Sequence, residues 1–222
     1  MALDEALMDS TDSTIILRIY GWNPSCVSIG YFQSINDINL KKCQQERVDV
    51  VRRMTGGGAV FHESELTYSI ITKKYSQNIL ESYKLICNII TSALKKLGID
   101  GQFIPLNDIV VNGKKVCGNA QTRKKNTLLQ QGTILLKVNA EKMFSLLNVP
   151  QEKIADKEIS DVKERVMGIN RKFDEVADSL KQSACEIFNS GLYDSQLTKE
   201  EMELSEKLSL EKYSSEKWNF RR

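Results

Sequence analysis

Apolar residues along this chain follow a period of two in its first third, a helical period in the middle, and mostly helical spacing toward the end. Ala2, Leu3, Ala6 and Leu7 fall on one face of a helix over Met1–Met8, which has no N-cap before it and suggests that the natural element starts upstream. Ile15, Leu17 and Ile19 alternate with more polar positions such as Arg18, the signature of a half-buried strand over Thr14–Trp22. A second strand, Ser25–Phe32, follows across Asn23-Pro24, and Val48–Arg53 and Leu66–Thr72 read as two more. From Ile79 to Leu97 the spacing changes: Ile79, Tyr83, Ile86, Ile90, Ala93, Leu94 and Leu97 form an amphipathic stripe. Asn78 with Glu81 resembles a capping box, and Gly98 sits where that helix must end. Ile109–Val111, Asn112-Gly113 and Lys114–Val116 predict a hairpin closed by a type I′ turn. Leu128–Val138 predicts a further strand. Beyond Asn139 the chain reads as mainly helical, with Asp174 capping Glu175–Asn189, Gly191 after it, and Thr198 with Glu201 opening a last helix. A β-rich core followed by helices gives an α+β, or mixed α/β, layered protein.

At 222 residues the chain is long enough for one domain with a full core. Its 31 Lys and Arg against 29 Asp and Glu leave no global field that would draw it to nucleic acid or an anionic membrane. No apolar run has the length of a membrane span, and no signal-peptide pattern precedes Asp4-Glu5. Cys26, Cys43, Cys87, Cys117 and Cys185 are scattered without a CxxC pair, so neither a zinc site nor a disulfide framework is indicated. The expected compartment is the reduced cytoplasm.

The densest chemical signal is Arg52-Arg53-Met54-Thr55-Gly56-Gly57-Gly58-Ala59-Val60-Phe61-His62. Adjacent glycines let a backbone approach a ligand without a Cβ in the way. Amides in such a turn can converge on an anion, and an arginine fork adds charge-assisted hydrogen bonds. Phosphate or carboxylate is the natural ligand; a surface loop whose arginines only decorate it is the alternative. Asn107-Asp108 could supply oxygen ligands to Mg²⁺, or be a plain polar pair. Lys115, just past the hairpin turn, could aim a fixed charge into a cleft, or simply solubilise an edge strand. Small residues after it, Gly118-Asn119-Ala120, would let another segment pack closely on the strand.

These residues resemble the lipoate–protein ligase family, within the biotin/lipoate ligase-like superfamily, over essentially the whole chain. The resemblance rests on Met1–Ala6, Ser28–Gln33, Arg52–His62, Asn107–Ile109, Gly113–Val116 with Gly118–Ala120, Gly132–Leu136, Val162–Val166 and Trp218–Phe220. It implies a mixed sheet flanked by helices and a single catalytic domain over 1–222, without the small C-terminal accessory domain of longer ligases. It also implies a two-step reaction. ATP and lipoate condense to lipoyl-AMP and pyrophosphate, then a lysine of a lipoyl domain attacks and AMP leaves. Carried over by position, Arg53 and the Gly58-Ala59-Val60-Phe61 backbone hold the nucleotide phosphates or adenylate, with Arg52, Gly30, Gly56 and Gly57 in support. Lys115 contacts the acyl carboxyl and α-phosphate, and Asn107 and Asp108 mark the Mg²⁺ side. Val60, Phe61 and residues near Gly30 line the tunnel for the lipoyl arm. The implied acceptors are lipoyl-domain proteins, such as a glycine-cleavage H protein or a 2-oxoacid dehydrogenase acyltransferase subunit. A separate accessory subunit is expected to replace the missing domain.

Stretches such as Ile19–Pro24 and Glu65–Ser69 are equally similar to octanoyltransferases that carry the acyl group on a cysteine shortly before the hairpin. Here that region, Gly101–Leu106, is shorter and has no cysteine. Those relatives also tend to have arginine in place of the last glycine of the triplet, where this chain has Gly58. Three functions follow: an ATP-dependent lipoate ligase, an octanoyl or lipoyl transferase without the usual cysteine, and a noncatalytic lipoate- or adenylate-binding subunit. His62 is expected to shape the loop rather than act as a base, and Cys117 to pack in a strand rather than carry an acyl group. Gln130-Gln131 stands where many relatives have histidines.

Overall fold

The computed structural model describes residues 1–10, 15–148 and 165–221. It contains a six-stranded antiparallel sheet and a three-stranded sheet, with helices around both. Helix α1 (Ala2–Ser10) leads into strand β1 (Ile16–Tyr20), then β2 (Cys26–Ile29), α2 (Leu40–Gln45), β3 (Asp49–Arg52), β4 (Val60–His62) and β5 (Glu65–Thr72). Helix α3 (Ile79–Lys96) precedes β6 (Gln102–Ile104), β7 (Asp108–Val111), β8 (Lys114–Lys124) and β9 (Thr127–Leu135). Helices α4 (Ala140–Ser145), α5 (Phe173–Phe188), α6 (Lys199–Leu208) and α7 (Glu216–Asn219) follow, with a π-helical turn over Ser209–Tyr213. No described helix is long and apolar enough to cross a membrane.

The large sheet runs β1-β5-β9-β8-β7-β6, and the small one β3-β2-β4. The two strands expected on either side of Asn23-Pro24 therefore part company, β1 entering one sheet and β2 the other. Along β5 the side chains divide by parity. Leu66, Tyr68 and Ile70 join Ile86, Ile89, Ile90, Ala93 and Leu94 of α3 and Val176 and Leu180 of α5 in the main core. The opposite face carries Glu65, Thr67 and Ser69, also buried. A strand that is apolar on one face and polar on the other, yet covered on both, marks a polar layer between two structural elements. A smaller core beneath the three-stranded sheet holds Val27, Ile29, Ile38, Cys43, Val48 and Leu146.

Local signals held with adjustments. Asn112 and Gly113 have φ of 50° and 75°, as the type I′ hairpin requires, and Gly98 ends α3 at φ 74°. Asn78 caps α3 by accepting from the Leu80 and Glu81 amides, but Glu81 turns to the Ser76 hydroxyl instead of completing the box. Thr198 and Glu201 form the full box at α6. The cap expected at Asp174 lies two residues earlier, at Lys172, whose amide donates to Glu175; left-handed Asn189, not Gly191, ends that helix. Short α2, α7 and β6 had no clear periodic signal. Residues 162–164 of the Val162–Val166 stretch, Thr14 and the expected elements within 149–164 lie outside the described residues.

Candidate active site

The hairpin does more than reverse the chain. Pairing of β7 with β8 shifts register between Ile109 and Val110, so that Ile109 faces Cys117 while Val110 faces Lys115. This bulge re-aims Lys115 onto the face of Gly118 instead of that of Cys117. A Cβ on Gly118 would stand 2.9 Å from Lys115 Nζ and 2.8 Å from its Cε. The space above the glycine, expected to admit another segment, is filled by the lysine's own side chain. Its ammonium is ion-paired with Asp108 Oδ1 at 2.7 Å, with both side chains about a third exposed (37% and 36%). The peptide of Lys115 is tied from the other side, its carbonyl accepting from Met167 N at 3.0 Å.

Cross-strand register places Asp108, and the Gly118 beneath Lys115, in a single row. Thr67 faces Thr133, Thr133 faces Gly118, and Gly118 faces Asp108. Directly paired residues share a sheet face, so the row crosses four strands on the polar side of the large sheet. The adjacent row, Ser69, Gln131 and Ala120, lies on the same face. Gln131 Oε1 accepts from the Thr55 hydroxyl at 3.0 Å, and its amide donates to Asp4. Thr55 belongs to the glycine turn, so the turn, Lys115 and Asp108 all border this layer.

Asn107 is latched to β8: its amide donates to Asn119 O, and its carbonyl accepts from Asn119 N at 3.0 Å and Asn119 Nδ2 at 2.8 Å. Among the described residues no group of three or more His, Cys, Asp or Glu is placed to hold a metal ion. Asp108 and Asn107 thus offer one carboxylate and one carboxamide, a set that suits Mg²⁺ only with phosphate and water oxygens completing its shell.

The two arginines are buried, contrary to the reading in which they decorate a surface loop. Arg52 Nη1 donates to Gly30 O (2.8 Å) and Gln33 O (2.6 Å), and Nη2 to Asn219 O (2.9 Å). The Trp218 indole returns a bond to Arg52 O, so this arginine ties the C-terminal segment to β2 and β3. Arg53 Nη1 bonds Ser28 O (3.0 Å) and Oγ (3.1 Å), while Nη2 takes Gly56 O and Gly58 O, both at 2.7 Å. No described carboxylate lies within ion-pair reach of Arg53, and burial lowers its guanidinium to about 10. Amide and carbonyl of one trans peptide point opposite ways. The N–H groups of Gly57 and Ala59 therefore face away from Arg53, on the side where Gly57 and Gly58 are exposed. Gly30 is required beside them, because a Cβ there would lie 1.8 Å from Gly57 O.

Of the expected tunnel residues, Val60 pairs with Ser28 and shares its face, toward the polar layer. Phe61 pairs with Val27, packs into the small core, and carries Lys142 over its ring at 5.3 Å. Strand alternation thus turns the Phe61 ring away from the polar layer. All five cysteines are free. Cys117 is on the core face, fully buried, its thiol pushed well up by burial. Burial also raises Cys43, and raises Cys26 and Cys87 to about 12, while Cys185 lies on α5 beyond the sheet. Sequence reasoning missed Ser28, Thr55, Glu65, Thr67, Gln131 and Thr133 as members of the layer. The alternation Glu65, Thr67, Ser69 within an otherwise apolar strand was the signal.

Residues 1–187 match the lipoyl protein ligase A/B catalytic domain. The chain belongs to that family. Octanoyltransferase LipM of Brevibacillus brevis is 34% identical over the whole chain and 94% of its own length, and that of Bacillus subtilis 33% identical over the whole chain and 93%. Among solved structures, a bi-partite lipoate protein ligase from Thermoplasma acidophilum superposes with a TM-score of 0.93 at 29% identity, covering 99% of this chain and 89% of that one. A lipoate-protein ligase A bound with ATP gives 0.87 at 27%, covering 99% and 92%. The expected mixed sheet is resolved into a six-stranded antiparallel sheet and a mixed three-stranded one, and with their flanking helices they make the lipoate ligase fold.

Proposed function

We propose that this protein transfers an octanoyl or lipoyl group to a lysine of a lipoyl domain, by direct attack on an activated acyl donor and with no acyl-enzyme thioester. The observation that carries this reading is Lys115, held by a bulge above Gly118 and beside Asp108 on the polar face of the large sheet. In the transfer the acceptor amine forms the amide C–N bond, the bond from the acyl carbon to its leaving group breaks, and the amine's proton passes to solvent. A positive charge fixed at the acyl carbonyl stabilises the oxyanion that develops there and the departing anion. Support for transfer comes from relatives named octanoyltransferase along the full chain. Support for the direct route comes from thiols that are buried and raised, since a thiolate is the nucleophilic form.

The second reading is the ATP-dependent ligase, favoured by Asn107-Asp108 beside Lys115 and by similarity to the bi-partite and ATP-bound ligases. In it ATP and lipoate first yield lipoyl-AMP and pyrophosphate. Mg²⁺ would lie at Asp108 with phosphate oxygens completing its shell, and a separate accessory protein would assist. One experiment separates the readings. The protein and a lipoyl domain are mixed with octanoylated acyl carrier protein, or with ATP, Mg²⁺ and lipoate, and the acceptor is weighed by mass spectrometry. Octanoylation without ATP supports the transferase; lipoylation that requires ATP supports the ligase; an unmodified acceptor with both donors overturns both.

A further inference from the structure

His62, the chain's single histidine, lies in a buried chain of hydrogen bonds that the transfer step does not use. Its Nε2 is 2.7 Å from Ser28 Oγ, its Nδ1 bonds Glu65, and Trp22 stacks on the ring at 4.2 Å. A single run of protons from Arg53 to Glu65 satisfies every link. Arg53 can only donate, so Ser28 Oγ accepts from it at 3.1 Å. In that run the Ser28 proton goes to a bare His62 Nε2, and His62 carries its proton on Nδ1 and gives it to Glu65. Thr67 Oγ1 also donates to Glu65 (2.8 Å) and accepts from Trp22 Nε1 (2.9 Å). All donors point toward Glu65. A guanidinium with no carboxylate in ion-pair reach among the described residues is thereby coupled through a serine and an imidazole to the buried Glu65 carboxyl group.

We propose that Glu65, His62 and Ser28 are positioning residues for the glycine turn, acting through Arg53. They fix the guanidinium plane; the guanidinium fixes the carbonyls of Gly56 and Gly58; and those peptides present the Gly57 and Ala59 N–H groups outward as an anion-receiving edge. Aligned peptide dipoles extend the arginine's positive field to that edge. The ligand class is the anionic part of the acyl donor, a phosphate in either an adenylate or a carrier's prosthetic group. A Ser-His-Glu sequence invites comparison with a hydrolytic triad. Ser28 is 1% exposed, however, and its hydroxyl is engaged on both sides, leaving no approach for a carbonyl carbon.

The kinetic part of this inference rests on the transfer reading, but its spectroscopic part does not. With one histidine, a ¹⁵N imidazole spectrum reports a single ring. The expected spectrum is a neutral ring protonated at Nδ1; a proton on Nε2 overturns the relay. In folded Ser28→Ala, the buried and hydrogen-bonded Arg53 guanidinium protons are expected to exchange with water about tenfold faster or more, as for loss of one hydrogen bond to a charged group. In Glu65→Gln the Nδ1 tautomer is expected to lose its dominance. With octanoylated acyl carrier protein or octanoyl-AMP as donor, Ser28→Ala is expected to raise the donor KM by a similar factor and leave the KM for the lipoyl domain unchanged. Unchanged exchange of the Arg53 guanidinium protons, or equal rises in both KM values, overturns the positioning role. Transfer absent in the unmodified protein with the Nδ1 tautomer present removes the transfer reading and leaves the relay intact.

Discussion

Lys115 occupies the place where a side chain on Gly118 would be: its Nζ stands 2.9 Å from the missing Cβ. The obstructing atom is the end of a flexible chain, so Gly118→Ala displaces the ammonium and leaves the sheet in place. Alanine also suits a strand better than glycine does. Gly118→Ala is therefore expected to keep or slightly raise the melting temperature while acyl transfer falls about tenfold or more, since one fixed transition-state donor is worth that much. Gly30→Ala is the contrast, because its Cβ would meet the rigid carbonyl of Gly57 at 1.8 Å, and it should lose both stability and activity.

Removing the charge itself is the second test. Lys115 is partly exposed and contributes little core volume, so Lys115→Ala should fold normally and fail to modify a lipoyl domain. Lys115→Arg keeps the charge, but its planar fork does not fit the space over Gly118 and should restore little. Near-normal turnover by Lys115→Ala would defeat the role given to this residue.

The sequence made the skeleton legible where a single local rule acted: the helical stripe of α3, the Asn112-Gly113 turn, the alternation in β1. It also drew attention to Arg53, Lys115 and Asp108. What it concealed were relationships made by tertiary register. Arg52 and Arg53 look alike in the chain, yet one clamps the C-terminal segment and the other the glycine turn. The bulge that turns Lys115 toward Gly118 depends on pairing between strands and leaves no mark in either strand alone. Val60 and Phe61 are consecutive apolar residues, and only the pairing with Ser28 and Val27 shows which of them faces the polar layer.

Arg52 is fully buried, and its guanidinium satisfies carbonyls of Gly30, Gln33 and Asn219. Gly30 O keeps its bond from Gln33 N, so Arg52→Met leaves the Gln33 and Asn219 carbonyls without donors, each costing about 1–3 kcal/mol. The variant should be destabilised by at least about 2 kcal/mol in chemical denaturation, with the tryptophan fluorescence transition shifted to lower denaturant. Asn219→Ala, which removes the acceptor of the Arg52 amide, should weaken the same clamp by less.

Glu5 joins three elements, accepting from Lys124 at the end of β8, from Lys212 and from Tyr213. Burial opposes its ionisation, but the two lysines and the phenol prevail and hold the carboxyl at about 2 against an ordinary 4.5. A depressed folded-state value means that its stabilisation is present above 4.5 and disappears as pH falls toward 2. Glu5→Gln should therefore flatten that portion of the acid-denaturation profile. A slope identical to that of the unmodified protein would exclude Glu5 as its source.

The cysteines supply the sharpest chemical test of direct transfer. Cys26, Cys43, Cys87 and Cys117 are buried with raised thiols, leaving half-buried Cys185 as the accessible one. Native iodoacetamide treatment should label Cys185 first and leave acyl transfer unchanged, because Cys185 lies on α5, across the large sheet from Lys115. An acyl thioester, by contrast, would survive acid quenching and appear in the intact mass of the protein after incubation with donor alone, to be discharged by neutral hydroxylamine. No such adduct is expected. Its appearance on any of the five thiols, together with loss of transfer after alkylation, would replace direct attack with a covalent route and require the buried strand or helix bearing that cysteine to open during turnover.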